Sequence, residues 1–198
     1  MTQLYSELLM TSKYLAGVDE VGRGCLAGPI VSAAIILKKS ANKENLVDSK
    51  SISSKKRHDL ASYILKHSHA VGIGICNNFE IDHLNIHNAT LLSMKRAVYN
   101  LNLKPDMVYI DGIHKPDISI ESECFIKGDQ KIPEISAASI IAKVLRDNEM
   151  MILDSMLKVY GFANHKGYGT KEHMMAIDIF GPSVYHRLSF SPLNHKKF

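Results

Sequence analysis

Two kinds of apolar pattern alternate along the chain. Short runs of β-branched and other apolar residues, each bounded by a turn former or a charged residue, are typical of strands. They predict five strands, at residues 14–18, 30–37, 70–76, 107–110 and 123–126. Each strand is expected to end where the charged or turn-forming residues begin.

Longer segments repeat their apolar residues every three or four positions, as amphipathic helices do. They predict four helices, at residues 53–66, 88–101, 134–160 and 170–180. The predicted apolar face of the long third helix consists of Ile141, Leu145, Ile152 and Met156. Strands that are later joined by alternating helices indicate an α/β domain, with a mixed sheet and helices on its faces.

Acidic residues follow three of the predicted strands. Asp19 and Glu20 follow the first strand, Asp111 follows the fourth, and Asp129 lies shortly after the fifth. If the first and fourth strands are neighbours, Asp19 and Asp111 meet at the sheet edge where α/β proteins bind ligands. Clustered carboxylates repel each other, and Mg²⁺ or Mn²⁺ relieves that repulsion; two such ions catalyse phosphodiester hydrolysis. The alternative is that these acids are caps and turn formers, since Asp-Gly is a common turn.

A glycine-rich turn comes directly after the first acids. Gly22, Arg23 and Gly24, called here the Gly-Arg-Gly turn, let bare backbone approach a ligand and supply a guanidinium for phosphate. The next glycine is Gly28, which does not match the spacing of a dinucleotide fingerprint, and the sequence has no Walker A motif. A simple turn with a solvent-facing arginine is the alternative.

Composition narrows these possibilities only slightly. The chain has 198 residues and a formal net charge of +4. Eight Lys or Arg and three acids lie between positions 38 and 66, a local charge of +5 that suits either a polyanion or a solvated helix face. The three cysteines form no Cys-x-x-Cys pair and fit a reducing cytoplasm. No apolar run is long enough to span a membrane, and a monomer is the default expectation.

Several segments together resemble type 2 ribonuclease H, the ribonuclease HII family. They are GVDEVGRGCLAGP at 17–29, VDSK at 47–50, YIDG at 109–112, KGDQKIPEISAASIIAKVLRD at 127–147, YGFANHKGYGT at 160–170 and RLSF at 187–190. They follow the family's order and extend the resemblance over residues 14–190. One departure is Cys25, where the family usually has proline; it is expected to alter only the rigidity of the turn.

The resemblance implies a ribonuclease H fold, with a central mixed five-stranded sheet. Residues 1–160 would form the catalytic domain, and residues 161–198 a C-terminal helical extension that completes the substrate cleft. The implied activity is endonucleolytic hydrolysis of RNA in RNA/DNA hybrids and incision 5′ of ribonucleotides in duplex DNA, leaving a 3′-hydroxyl and a 5′-phosphate. That activity belongs to ribonucleotide removal from DNA. The related type 3 enzymes have an extra N-terminal domain, and only thirteen residues precede the first predicted strand here.

Site residues carry over by position. The four catalytic acids of the family match Asp19, Glu20, Asp111 and Asp129; the first three are the implied ligands of two Mg²⁺ or Mn²⁺ ions. The Gly-Arg-Gly turn matches the element that recognises the 2′-hydroxyl, the group that distinguishes RNA from DNA. Tyr168 matches the aromatic residue that packs on the sugar after the ribonucleotide.

Other assignments come from position and spacing. Lys50 is expected to meet a phosphate. One predicted helix face carries Ser136, Ser139 and Lys143, which are candidates for contacts with the nucleic-acid backbone. His165 is a candidate for substrate contact, and Arg146 with Asp147 for helix salt bridges.

Two functions of other kinds remain open at this stage. One is a non-catalytic nucleic-acid-binding module that uses the basic 38–66 segment. The other is a small Mg²⁺-dependent phosphatase or nucleotide hydrolase, which the lack of a nucleotide-cradling loop disfavours.

Overall fold

A single mixed sheet forms the centre of the molecule. The computed structural model describes residues 14–43, 46 and 53–195, so Lys50 lies outside the described residues. The strands are β1 (Leu15–Val21), β2 (Ile30–Leu37), β3 (Ser68–Cys76), β4 (Met107–Asp111) and β5 (Ser122–Phe125). The helices are α1 (Ser54–Lys66), α2 (Asn78–Tyr99), α3 (Pro133–Met156), α4 (Phe162–His165) and α5 (Lys171–Phe180).

The strand order is β3-β2-β1-β4-β5. β1 and β3 each pair antiparallel with β2, whereas β4 pairs parallel with both β1 and β5. The predicted mixed five-stranded sheet is therefore confirmed. Because Val18 of β1 pairs with Ile110 of β4, the acids that follow them, Asp19 and Asp111, lie at the same end of adjacent strands.

Helices cover both faces of the sheet. Small residues of α3, such as Ala137 and Ala138, pack with Ile35 on one face, and Met94 and Ala97 of α2 pack on the other. β1 and α3 approach each other very closely at Gly17. A Cβ atom there would lie 2.1 Å from the carbonyl carbon of Glu134, so only glycine fits.

The helix predicted at 88–101 begins ten residues earlier. Asn77 and Glu80 form a reciprocal capping box that starts α2 at Asn78. A kink at Asn85, with φ of 67°, separates this first part from the rest. Ile81 is buried while the nearby Phe79 is exposed, so the first turns lack the repeating apolar pattern that marks the remainder of the helix.

The predicted apolar face of α3 is confirmed at Ile141, which is buried, and is wrong at the other three positions. Ile152 and Met156 are more than 60% exposed, and Leu145 is 40% exposed. The buried side instead carries small residues together with Arg146 and Met150. The buried Arg146 interrupts the apolar pattern on the side that packs against the protein. The exposed apolar residues make a different side of the helix look like the buried one. The helix also ends at Met156, before a separate 3-10 turn at Lys158–Tyr160.

The segment after Gly161 packs against the loop between β1 and β2. Phe162 and Ile177 share a buried apolar cluster with Leu26, Ala27 and Met150. The C-terminal segment is therefore held directly behind the Gly-Arg-Gly turn. No helix in the described part of the chain is long and apolar enough to cross a membrane.

Candidate active site

Three acids line one cleft at the end of β1 and β4. The cleft has a volume of about 270 Å³. Its lining residues are Asp19, Glu20, Val21, Arg57, Asp111, Ser139, Ile140, Lys143 and Tyr168. Asp19 Oδ1 accepts a 2.7 Å hydrogen bond from the Glu20 amide, and Asp111 Oδ1 accepts one of 2.7 Å from the Gly128 amide. The convergence of Asp19 and Asp111 predicted from the strand ends is thus present.

Burial and mutual repulsion raise the proton affinity of these acids. Burial, followed by the charges of Glu20 and Asp111, raises the pKa of Asp19 well above its usual value. Burial also raises the pKa of Glu20, although Arg23 at 3.6 Å opposes the shift. The cleft therefore holds crowded carboxylates that a cation would stabilise.

The donor set fits a hard divalent cation, although the side chains are not arranged around one. Within residues 14–43, 46 and 53–195, no group of three His, Cys, Asp or Glu side chains is already placed to hold a metal ion. The carboxylates of Asp19, Glu20 and Asp111 nevertheless share one cleft, and carboxylate oxygens are the ligands that Mg²⁺ and Mn²⁺ prefer.

The fourth predicted acid is near the cleft but does not line it. Asp129 lies in the 3-10 turn after β5 and is 2% exposed. Its neighbour Gly128 donates the hydrogen bond to Asp111. The catalytic role of Asp129 stays a prediction.

Polar and cationic side chains line the same cleft and are called here the cationic wall. Ser139 and Lys143 lie on the cleft wall, as does Arg57 of α1, which the sequence analysis did not select. Lys143 Nζ lies 2.8 Å and Arg57 Nη1 lies 4.0 Å from the Asp147 carboxylate. The wall therefore carries two cations held near one acid, which suits a phosphate-bearing ligand.

Two residues of the predicted basic and polar surface serve the fold instead. Ser136 is fully buried and its hydroxyl donates to the Leu46 carbonyl. The prediction that it contacts the nucleic-acid backbone is therefore wrong. Lys43 Nζ lies 2.6 Å from Glu134 Oε1 at the start of α3. Part of the positive charge at 38–66 is thus used within the protein.

The Gly-Arg-Gly turn rests on a buried arginine. Gly22 has φ of +100°, and a Cβ atom there would lie 2.2 Å from Arg146 Nε. Arg146 donates to the carbonyls of Pro29 (3.0 Å), Lys166 (2.9 Å) and Ala27 (3.1 Å). The prediction that Arg146 forms helix salt bridges is wrong, because its guanidinium points into the protein and binds backbone oxygens.

A second buried arginine was missed. Arg187 donates twice to the Gly28 carbonyl, at 3.0 and 2.9 Å, and once to the Arg23 carbonyl, at 2.9 Å. Its position in the RLSF segment was the only sequence signal, and that segment indicates no role for it.

Tyr168 also lines the cleft. It is 44% exposed and forms an isolated antiparallel bridge with Cys25. Burial raises the pKa of the Tyr168 phenol, and a hydrogen bond with the Cys25 side chain contributes. The Gly167 carbonyl accepts from the Leu26 amide at 2.8 Å, so the Tyr168 loop and the Gly-Arg-Gly turn are joined.

Three buried histidines support the Tyr168 loop from behind. His173 Nδ1 lies 2.9 Å from the Tyr168 carbonyl, and His173 Nε2 lies 3.0 Å from His186 Nε2. The Ser183 amide donates to His186 Nδ1 at 2.9 Å. These partners require a neutral pair: His186 Nε2 donates to His173 Nε2, and His173 Nδ1 donates to the carbonyl. A further proton would place two N–H groups against each other.

Burial lowers the pKa of both His173 and His186 to about 4, in agreement with that neutral arrangement. His165 is also buried, with Nε2 donating to the Tyr160 carbonyl at 2.7 Å. The expectation that His165 contacts substrate is wrong, since its ring stacks on His173 inside the protein.

Known proteins share both the sequence and the fold. The family model for ribonuclease HII matches residues 16–192. The ribonuclease HII of Coxiella burnetii is 50% identical over 183 residues, which cover 92% of this chain and 91% of that protein.

Solved structures show the same fold. The ribonuclease H2 of Pyrococcus horikoshii has a TM-score of 0.77 at 24% identity, over 92% of this chain and 96% of that one. Bst-RNase HIII in complex with Mn²⁺ has a TM-score of 0.66 at 20% identity, over 91% of this chain and 68% of that one.

A mixed sheet that brings carboxylates to a cleft with a cationic wall places the molecule among the hydrolases with a ribonuclease H fold. The chain belongs to the ribonuclease HII family, and it is a ribonuclease H. The hydrolase hypothesis is thereby favoured over the binding module and the nucleotide phosphatase.

Proposed function

We propose that the chain hydrolyses the RNA strand of RNA/DNA hybrids and incises duplex DNA 5′ of embedded ribonucleotides, leaving a 3′-hydroxyl and a 5′-phosphate. The observation that carries this proposal is the juxtaposition of three elements. The acids and Tyr168 line one cleft. The Glu20–Arg23 ion pair links the acids to the Gly-Arg-Gly turn, and Cys25, the residue after that turn, forms a bridge with Tyr168.

Asp19, Glu20 and Asp111 are the residues proposed to hold two Mg²⁺ or Mn²⁺ ions, with Asp129 as a further acid of the centre. Such ions activate water and stabilise the leaving oxygen in phosphodiester hydrolysis. The crowding of the carboxylates supports this assignment, because bound cations would offset the repulsion between them. The Mn²⁺ complex of Bst-RNase HIII provides a precedent in a protein of the same fold.

The remaining lining residues have positioning roles in this proposal. Lys143 and Arg57 line the same cleft as the acids and would offset the charge of the phosphate backbone, and Ser139 is proposed to contact that backbone from the same helix face as Lys143. Lys50 is proposed to contact a phosphate as well. The backbone of the turn would bind the 2′-hydroxyl, while Tyr168 would pack on the following sugar, where a second 2′-hydroxyl would obstruct it.

The wider setting follows from this chemistry. Incision at an embedded ribonucleotide is the first step of its removal from DNA, so we assign the chain to DNA repair in the cytoplasm. We treat residues 1–160 and 161–198 as one functional unit that acts as a monomer. The packing of Phe162 and Ile177 behind the turn supports that unit.

The deciding assay uses a DNA duplex with a single ribonucleotide in one strand, incubated with Mg²⁺ or Mn²⁺. Incision 5′ of the ribonucleotide, with ligatable 3′-hydroxyl and 5′-phosphate ends, is expected. An RNA/DNA hybrid serves as the positive control for folded enzyme. Cleavage of the hybrid without incision of the single-ribonucleotide duplex, with either metal, would contradict the proposal.

A further inference from the structure

Arg187 is a buried cation at the base of the Gly-Arg-Gly turn. Its side chain is fully buried, and its guanidinium lies 5.1 Å from the centre of the Phe190 ring. Among the described residues, no carboxylate lies within 4 Å of it as an ion-pair partner. Its hydrogen bonds go instead to the carbonyls of Gly28 and Arg23.

An apolar residue would fill this position at lower cost. A buried charge without a countercharge is unfavourable, and well-packed apolar side chains often replace such groups without loss. Burial lowers the pKa of Arg187 to about 10, so the group is still charged at neutral pH. What the guanidinium supplies, and an apolar side chain does not, is a rigid set of directed donors.

Those donors determine how the turn faces its surroundings. Arg187 Nη1 lies 2.9 Å from the Arg23 carbonyl oxygen, so that carbonyl points into the protein. The C=O and N–H groups of a trans peptide point in opposite directions. The Gly24 N–H, on the same peptide as the Arg23 carbonyl, therefore points outward. Gly24 is exposed, and a Cβ atom there would meet no atom within 4 Å.

We propose that Arg187 is a positioning residue that directs the Gly24 N–H outward and thereby sets the discrimination between ribose and deoxyribose. An outward amide N–H on the turn that follows Glu20 is a donor for a 2′-hydroxyl oxygen, which deoxyribose lacks. This inference rests on the proposed function, in which the Gly-Arg-Gly turn binds that hydroxyl. Arg187 itself does not touch the substrate.

Arg146 has a different task in the same region. It binds the carbonyls of Ala27, Pro29 and Lys166, and so holds the far side of the loop and the Tyr168 segment. Within residues 14–43, 46 and 53–195, Arg187 is the side chain that binds the Arg23 carbonyl, on the peptide between Arg23 and Gly24. An Arg187→Lys variant keeps the positive charge, but a single ammonium on a shorter side chain cannot reproduce the two-carbonyl geometry of the planar fork.

The test measures recognition of a single 2′-hydroxyl. Two unlabelled duplexes compete with cleavage of a labelled RNA/DNA hybrid: one is all DNA, and the other contains one ribonucleotide. The ratio of their inhibition constants reports the discrimination. For Arg187→Lys we expect this ratio to fall about fivefold or more, the effect of losing one hydrogen bond.

Arg96→Lys is the matched control. Arg96 also donates to a backbone carbonyl, that of Ile75 at 2.6 Å, but it lies on α2 and pairs with Glu80. This variant is expected to keep the ratio within twofold of wild type. A loss of folded protein lowers the cleavage rate for all substrates together and leaves the ratio unchanged, so the ratio separates positioning from stability.

A second variant covers the case in which Arg187→Lys does not fold. Gly24→Pro removes the N–H itself at an exposed position with open space around it, and the same fall in the ratio is expected. A wild-type ratio in a folded Arg187→Lys or Gly24→Pro enzyme would overturn the inference. If the wild-type enzyme does not incise the single-ribonucleotide duplex at all, the proposed function fails, and the inference fails with it. If it incises that duplex but binds both duplexes equally, the inference alone fails.

Discussion

Both sides of the cleft bury charge, but they treat it in opposite ways. At the sheet edge, Asp19 is 5% exposed and lies beside other carboxylates that raise its pKa. Behind the Gly-Arg-Gly turn, Arg146 and Arg187 are fully buried, and each donates three hydrogen bonds to backbone carbonyls. The acids are thus placed in mutual repulsion on the cleft wall, whereas the arginines are satisfied inside the protein. Unrelieved repulsion marks the acids as groups that can act on a ligand, whereas satisfied hydrogen bonds mark the arginines as groups that shape the site.

Removal of one acid gives the largest expected effect. Asp111→Asn should lower the rate of hybrid cleavage by about 10²- to 10³-fold, the scale seen when a group that stabilises transition-state charge is removed. Binding of the hybrid should be retained, because the cationic wall is intact. Rates and dissociation constants are measured in parallel.

The control for that substitution is Asp117→Asn. Asp117 is a highly exposed acid that pairs with Lys95 outside the cleft. The Asp117→Asn enzyme should cleave the hybrid at the wild-type rate. Substantial turnover by Asp111→Asn would remove this acid from the catalytic set.

Tyr168 tests whether the two sides act together. Tyr168→Ala should lower incision of the single-ribonucleotide duplex by about tenfold, a range consistent with loss of one stacking contact, and should affect a long hybrid less. Tyr168→Phe keeps the ring and removes the hydroxyl that contacts Cys25, so it should stay close to wild type. Equal losses for both substrates in Tyr168→Ala would contradict a role in packing on the sugar.

The repulsion on the acidic side predicts a gain in stability when it is relieved. Without divalent ions, Asp19→Asn should raise the free energy of unfolding by roughly 1–2 kcal/mol, as is common when a strained functional group is replaced. Urea unfolding in the presence of a chelator measures it. Added Mg²⁺ should stabilise the wild type more than the variant, since ligand binding to the folded state stabilises it. Lower stability of Asp19→Asn under chelation would show that the carboxylates are not in net repulsion.

The histidine pair gives the smallest expected effect, and it depends on pH. Because the pKa values of His173 and His186 are near 4 in the folded state, against about 6.5 when unfolded, the unfolded chain binds more protons between those values. The stability from this pair is complete above about pH 6.5 and is lost as pH falls toward 4.

His186→Gln removes one titrating group and keeps an amide donor. The wild type should lose roughly 1 kcal/mol more than this variant between pH 7 and pH 5.5. Comparison with the variant cancels the contribution of the carboxylates, including Asp19 and Glu20, whose raised pKa values give the opposite pH dependence. Parallel pH profiles would show that the pair is not held neutral.

The acidic side was predictable from sequence because its signals are local. Asp19 and Asp111 each end a recognisable strand, and the family motifs assigned them a role. Ser139 and Lys143, which share one predicted helix face, both line the cleft, and their contact with a nucleic-acid backbone stays a prediction. The five strands were predicted from short apolar runs that end at turn-forming or charged residues. Their pairing agrees with the mixed sheet that the resemblance implied.

The interior of the other side was not predictable, because it depends on tertiary partners. Nothing near Arg146 in sequence shows that the carbonyl of Lys166 lies against it. An arginine normally marks a solvent-facing helix position, which led to the wrong prediction of salt bridges. His173 and His186 form no recognisable spacing, and they meet only because α5 and the following loop fold together.

The absence of a side chain at position 17 also determines the dimensions of the cleft. Helix α3 carries Ser139 and Lys143 on the cleft wall and Arg146 behind the turn, and its first turn lies on β1 at Gly17. A methyl group at position 17 would overlap the backbone of Glu134 and push helix α3 away from the sheet. The distance between the acids and the cations of the cleft therefore depends on the close contact at Gly17, which lies about two turns of helix away from Ser139 and Lys143.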